Sequence, residues 1–68
     1  MKTVIFEGAF IAKYNDSPEW KLIKGSTAIG YIQAEEGTVI MNDHFCHDVR
    51  DLHNLSILIN KVIKEHNS

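Results

Sequence analysis

The densest group of chemically capable side chains is Asp43-His44-Phe45-Cys46-His47-Asp48. Imidazole nitrogen and thiolate sulfur are the donors that transition metals prefer. His44, Cys46 and His47 are therefore the candidate metal ligands, with Asp43, Asp48 or His53 available as a fourth. Structural zinc sites usually join two separated ligand groups, and only His66 stands apart from this one. A polar connecting segment that happens to contain histidines is the favoured reading, and no cofactor is expected. Cys46 beside His44 or His47 also has the residue types of a nucleophile and its base. Neighbours one or two apart seldom present their side chains to each other in an extended segment. No motif for an oxyanion hole accompanies them, so a part-buried structural cysteine is preferred.

Other pairings are weaker. Glu35 and Glu36 fall at a predicted hairpin tip, where water keeps carboxylates ordinary. Gly25, Gly30 and Gly37 are too dispersed to cradle a phosphate. Phe6, Phe10, Tyr14, Trp20 and Tyr31 could form a base-stacking sheet face, helped by Lys13, Lys21 and Lys24. Core packing is the preferred role for these aromatics. No catalytic constellation stands out, and the chain is expected not to be an enzyme.

The elements that must position these residues divide by period. Residues 2 to 42 are rich in β-branched and aromatic types and are broken by turn signals. Thr3 to Tyr14 reads as a first strand with Val4, Phe6, Phe10, Ala12 and Tyr14 on one face, and Gly8 inside it suggests a bulge or a close backbone approach. Ile5 and Ile11 on the other face leave that face less than polar. Asn15-Asp16-Ser17-Pro18 is a strong turn signal. Strands over Trp20 to Lys24, Ala28 to Gln33 and Thr38 to Met41 follow, with breaks at Gly25-Ser26 and at Ala34-Glu35-Glu36-Gly37. From about 48 to 66 the period becomes helical. Asp48 is the expected N-cap, and Leu52, Leu55, Leu58, Ile59, Val62 and Ile63 form one stripe. Ile57 points away from it, near the angles of Val49 and Cys46.

One apolar stripe must be buried against another element. The expected fold is α+β: a small antiparallel meander of three to four strands packed against one C-terminal amphipathic helix, as a single domain over residues 1–68.

Composition limits what such a domain does. The chain has 68 residues, a net charge of -2 and a pI of about 6.0. Its charges are uneven. Residues 35 to 51 hold five carboxylates against Arg50, while residues 1 to 24 hold four lysines against three carboxylates. The balance makes general nucleic-acid binding unexpected. The N-terminus lacks a signal-peptide core and no run approaches a membrane span, so no membrane partner is expected. A single cysteine fits a reducing, cytoplasmic setting. It also rules out an intrachain disulfide, leaving a small core to offset ordering costs of roughly 1.5 kcal/mol per residue. That shortfall points to a homodimer, the commonest closed assembly.

The leading expectation is a small non-enzymatic interaction module that binds and modulates, or inhibits, a larger protein partner. Phage and mobile-element genomes are rich in such chains. Its candidate interface residues are Ile5, Ile11, Val49 and Ile57. A metal-responsive regulator built on His44, Cys46 and His47 is the first alternative, and single-stranded nucleic-acid binding through an aromatic sheet face is the second.

Overall fold

The computed structural model describes residues 2–16, 18–42 and 48–68. The elements are β1 (Val4–Glu7), β2 (Phe10–Asp16), β3 (Glu19–Lys24), β4 (Thr27–Gln33), β5 (Thr38–Met41) and α1 (Val49–His66). The strands form one antiparallel sheet in chain order, β1-β2-β3-β4-β5, and α1 lies across one face of it. The fold is α+β as expected, with five strands in place of three to four.

The extra strand comes from Gly8. Glu7 pairs with Phe10, so Gly8 and Ala9 form a two-residue hairpin loop where a bulge was expected. Gly8 has φ 58°, a left-handed conformation that costs a residue with a Cβ about 1–2 kcal/mol. Thr3 to Tyr14 is therefore two strands, and the face assignment changes with it. Phe10 and Ala12 are fully buried and Tyr14 is half-buried on the helix side, where Ile5 joins them from β1. Val4 and Phe6 lie on the opposite face, correcting the expectation that they share a face with Phe10.

The core sits between sheet and helix. Phe10, Ala12, Trp20, Leu22 and Ile32 bury their side chains from the sheet, and Leu55, Leu58 and Val62 from the helix. Ile29 enters through an irregularity in β4. Leu22 pairs with Gly30 and Ile23 with Ala28, so Ile29 is an additional residue in the ladder, and it turns into the core.

The helix begins where the sequence places it. Asp48 is extended (φ -108°, ψ 134°), and its Oδ1 accepts from the Arg50 amide at 2.8 Å. Such a cap contributes about 1 kcal/mol. The helix runs antiparallel to β1. Near its end the Lys2 amide donates to Glu65 Oε1 at 2.6 Å, midway Lys61 pairs with Glu7, and at its start Lys24 Nζ meets Asp51 Oδ2 at 2.8 Å. These partly exposed contacts give about 0–1 kcal/mol each and serve mainly to set the helix position. The buried stripe starts later than expected, because Leu52 is 49% exposed. No helix among the described residues is long and apolar enough to cross a membrane.

Candidate functional site

The helix covers one face of the sheet and leaves the other open. Side chains alternate between the faces of a strand, so the register tells which residues share the open side. One row runs Phe6, Ile11, Ile23, Ala28 across four strands. The next runs Val4, Lys13, Lys21, Tyr31, Ile40 across all five. Seven of these nine residues are apolar or aromatic. Phe6 is 63% exposed, Ile40 58%, Tyr31 41% and Val4 36%, a group that water disfavours and no described element shields.

The two lysines occupy directly opposed positions on β2 and β3. Like charges placed so repel across the ladder. Neither has an ion pair among the described residues. Among the described side chains of this side the carboxylate is Glu19, which accepts from Gln33 Nε2 at 3.1 Å. The open face is thus apolar with a cationic centre. At its β4–β5 end lies a hollow of about 210 Å³ lined by Lys21, Ala28, Gly30, Tyr31, Ile40 and Asn42.

No protein family, curated protein or solved structure matches this chain. The geometry alone therefore carries the functional argument.

The sequence-derived candidates scatter across the molecule. Ile11 lies within the first open-face row and is half-buried there. Ile5 is on the helix side, packed against the core. Val49 is 80% exposed in the first turn of α1, and Ile57 is half-buried midway along it. His44, Cys46 and His47 lie outside the described residues. Among the described residues no group of three His, Cys, Asp or Glu is placed to hold one ion.

Of the aromatics, Phe10 and Trp20 are core as expected, and Tyr14 packs edge-on to Trp20 with ring centroids 5.3 Å apart. Phe6 and Tyr31 are instead on the open face. Sequence reasoning missed Ile23 and Ile40 as a surface and weighed Phe6 and Tyr31 only for a base-stacking face, preferring the core for both. The available signal was the absence of a clearly polar face in the strands: Val4, Phe6, Ile11, Ile23 and Ile40 each sit where alternation would place a polar residue.

Proposed function

We propose that this chain is a non-enzymatic interaction module that binds a larger protein through the open face of its sheet and modulates that protein by occupying its surface. The observation that supports this most directly is the pair of cross-strand rows, apolar on their flanks and cationic at Lys13 and Lys21. An apolar partner surface with carboxylates at its centre would relieve the exposure of Phe6 and Ile40 and the repulsion of the two lysines together. The hollow beside Tyr31 would receive an anchoring side chain, as well-packed pockets that exclude water carry much of an interface's affinity.

The test uses Ile40→Asp and the double variant Lys13→Glu/Lys21→Glu, all at exposed positions. A partner captured from host cells by the unaltered chain should lose about tenfold or more in affinity to each, measured with the purified partner. Unchanged affinity in both would overturn the proposal. A second reading draws on the same face. Phe6 and Tyr31 beside two lysines have the makings of a base-stacking platform. Salt-dependent binding of a labelled single-stranded oligonucleotide, lost in the lysine double variant, would favour it over a protein partner. The aliphatic majority of the face and the net charge of -2 favour protein.

The homodimer belongs to the proposal as a separate contact. Pairing two open faces would bring four lysines together and, among the described side chains, two Glu19 carboxylates already bonded to Gln33 to answer them. Self-association is therefore assigned to an edge strand or to the Ile57 side of α1. Sedimentation at micromolar concentration should give twice the 7.7 kDa of the chain. A stable species at the chain mass would remove the dimer without touching the open-face proposal.

A further inference from the structure

The edge strand β1 is flanked by α1. Tyr14 donates its amide to the Thr3 carbonyl at 2.8 Å, which makes Thr3 and Tyr14 a hydrogen-bonded pair. Such pairs alternate along an antiparallel ladder. Ile5 with Ala12 and Glu7 with Phe10 then use the backbone groups that face β2. The amides and carbonyls of Val4 and Phe6 point the other way, out of the sheet edge. They form a short template for one more strand.

Beside that edge lies a groove of about 480 Å³ between β1 and the last turns of α1. Ile5 and Phe6 supply its apolar part, and Lys2, Lys61 and Lys64 its charge, against Glu65. Glu65 accepts from the Lys2 amide and Lys61 is held by Glu7. Lys64, exposed in the final turn, has no ion pair among the described residues. An open strand edge, a helix wall and a cationic lining combine the requirements for binding an extended anionic peptide by strand addition.

We propose that β1 takes an extended acidic peptide segment as a sixth strand, with alternate side chains directed into the groove between β1 and α1 and carboxylates facing Lys2 and Lys64. This rests on the reading of the chain as a protein-binding module and names the partner segment: strand-forming, with acidic and apolar residues in alternation. The charge of the groove favours an acidic segment over a basic one. The backbone donors and acceptors of Val4 and Phe6 exclude a helical one, whose own backbone groups are already paired.

A displayed library of random eight-residue peptides, selected against the full chain, tests this. Enriched peptides should be acidic with alternating apolar residues. Val4→Pro removes the outward amide of Val4 and spares the ladder to β2, a substitution that edge strands tolerate. It should weaken the selected peptides about tenfold or more. Lys64→Glu, at an exposed position, should weaken acidic peptides by a similar factor and turn selection toward basic ones. Far-ultraviolet circular dichroism of each variant should match the unaltered chain. Peptides that bind Val4→Pro and Lys64→Glu as well as the parent would overturn the inference, as would failure to enrich any. Peptides lost in Ile40→Asp but retained in Val4→Pro would overturn the edge site and leave the open-face module standing.

Discussion

Replacing Trp20 with alanine is expected to cost the chain a large share of its folding stability at 25 °C. Trp20 is fully buried and is the largest side chain in the core. Its neighbours in the ladder are Tyr14 and Ile32, so its indole fills the space over three strands at once. Tyr14 meets it edge-on at an interplanar angle of 64°, an arrangement worth about 0.5–1.5 kcal/mol beyond burial. The indole nitrogen reaches His66 Nδ1 at 3.4 Å, linking the sheet to the last turn of the helix. Truncating a buried tryptophan costs about 3–5 kcal/mol. A domain of this size holds only about 0.05–0.15 kcal/mol per residue, so the loss takes from about a third to all of the total.

Trp20→Phe separates the contributions. It keeps an aromatic ring against Tyr14 and loses the bond to His66, a long one at 3.4 Å. It should remain folded, with a smaller loss than alanine. Urea unfolding followed by circular dichroism at 222 nm reads both variants, since Trp20 is the only tryptophan and fluorescence would vanish with it. A cooperative alanine variant within about 1 kcal/mol of the parent would contradict this account of the core.

How much of this arrangement the sequence discloses depends on how sharply each segment's pattern excludes alternatives. The helix is legible because Asp48, the run Leu55, Leu58, Val62, and the basic residues Lys64 and His66 agree on start, face and end. Thr38–Met41 is legible because Gly37, at φ 70°, marks the turn before it. The β1–β2 hairpin is not, because Gly8-Ala9 lacks the Asn or Asp that usually accompanies a two-residue loop. A missed turn shifts the strand by a half period, and every side chain before or after it changes face. That is why Phe6 was placed with Phe10.

The open face is illegible for a different reason. Alternation identifies the buried side of a strand only when the other side is polar. Here β2 alternates Phe10, Ala12 and Tyr14 with Ile11 and Lys13, and β3 alternates Trp20 and Leu22 with Lys21 and Ile23. Both sides carry large apolar residues, so Ile11 and Ile23 on the open side hide which side is the core. The feature that obscures the fold in the sequence is the feature that makes the open face apolar in the structure. The register turns scattered isoleucines into a row, and only the register places Lys13 opposite Lys21.

The same surface depends on one glycine. A Cβ added at Gly30 would fall against the backbone carbonyl of Ile40 and come within 2.9 Å of Met41 Cα. Neither atom belongs to a flexible side chain, so relief requires β5 to move as a strand. Gly30→Val is therefore expected to detach β5 from β4, at a cost of about 3 kcal/mol or more. The Asn42 amide, which donates to the Ile29 carbonyl at 2.8 Å, should lose its protection from hydrogen exchange. Tyr31 and Ile40, paired across β4 and β5, should separate, and with them the hollow they line beside Lys21. The helix side of the core reaches β1 and β2 first, so α1 should persist and the exchange of its amides should change less than that of β5. Gly25→Ala is the comparison. Gly25 has φ 64° and open space where a Cβ would stand, so that substitution should cost about 1 kcal/mol and leave β5 in place. If Gly30→Val protects Asn42 as well as the parent does, β5 is not held by this close approach. If it detaches β5 and abolishes partner binding while Gly25→Ala does neither, the β4–β5 end of the open face is the part that the partner grips.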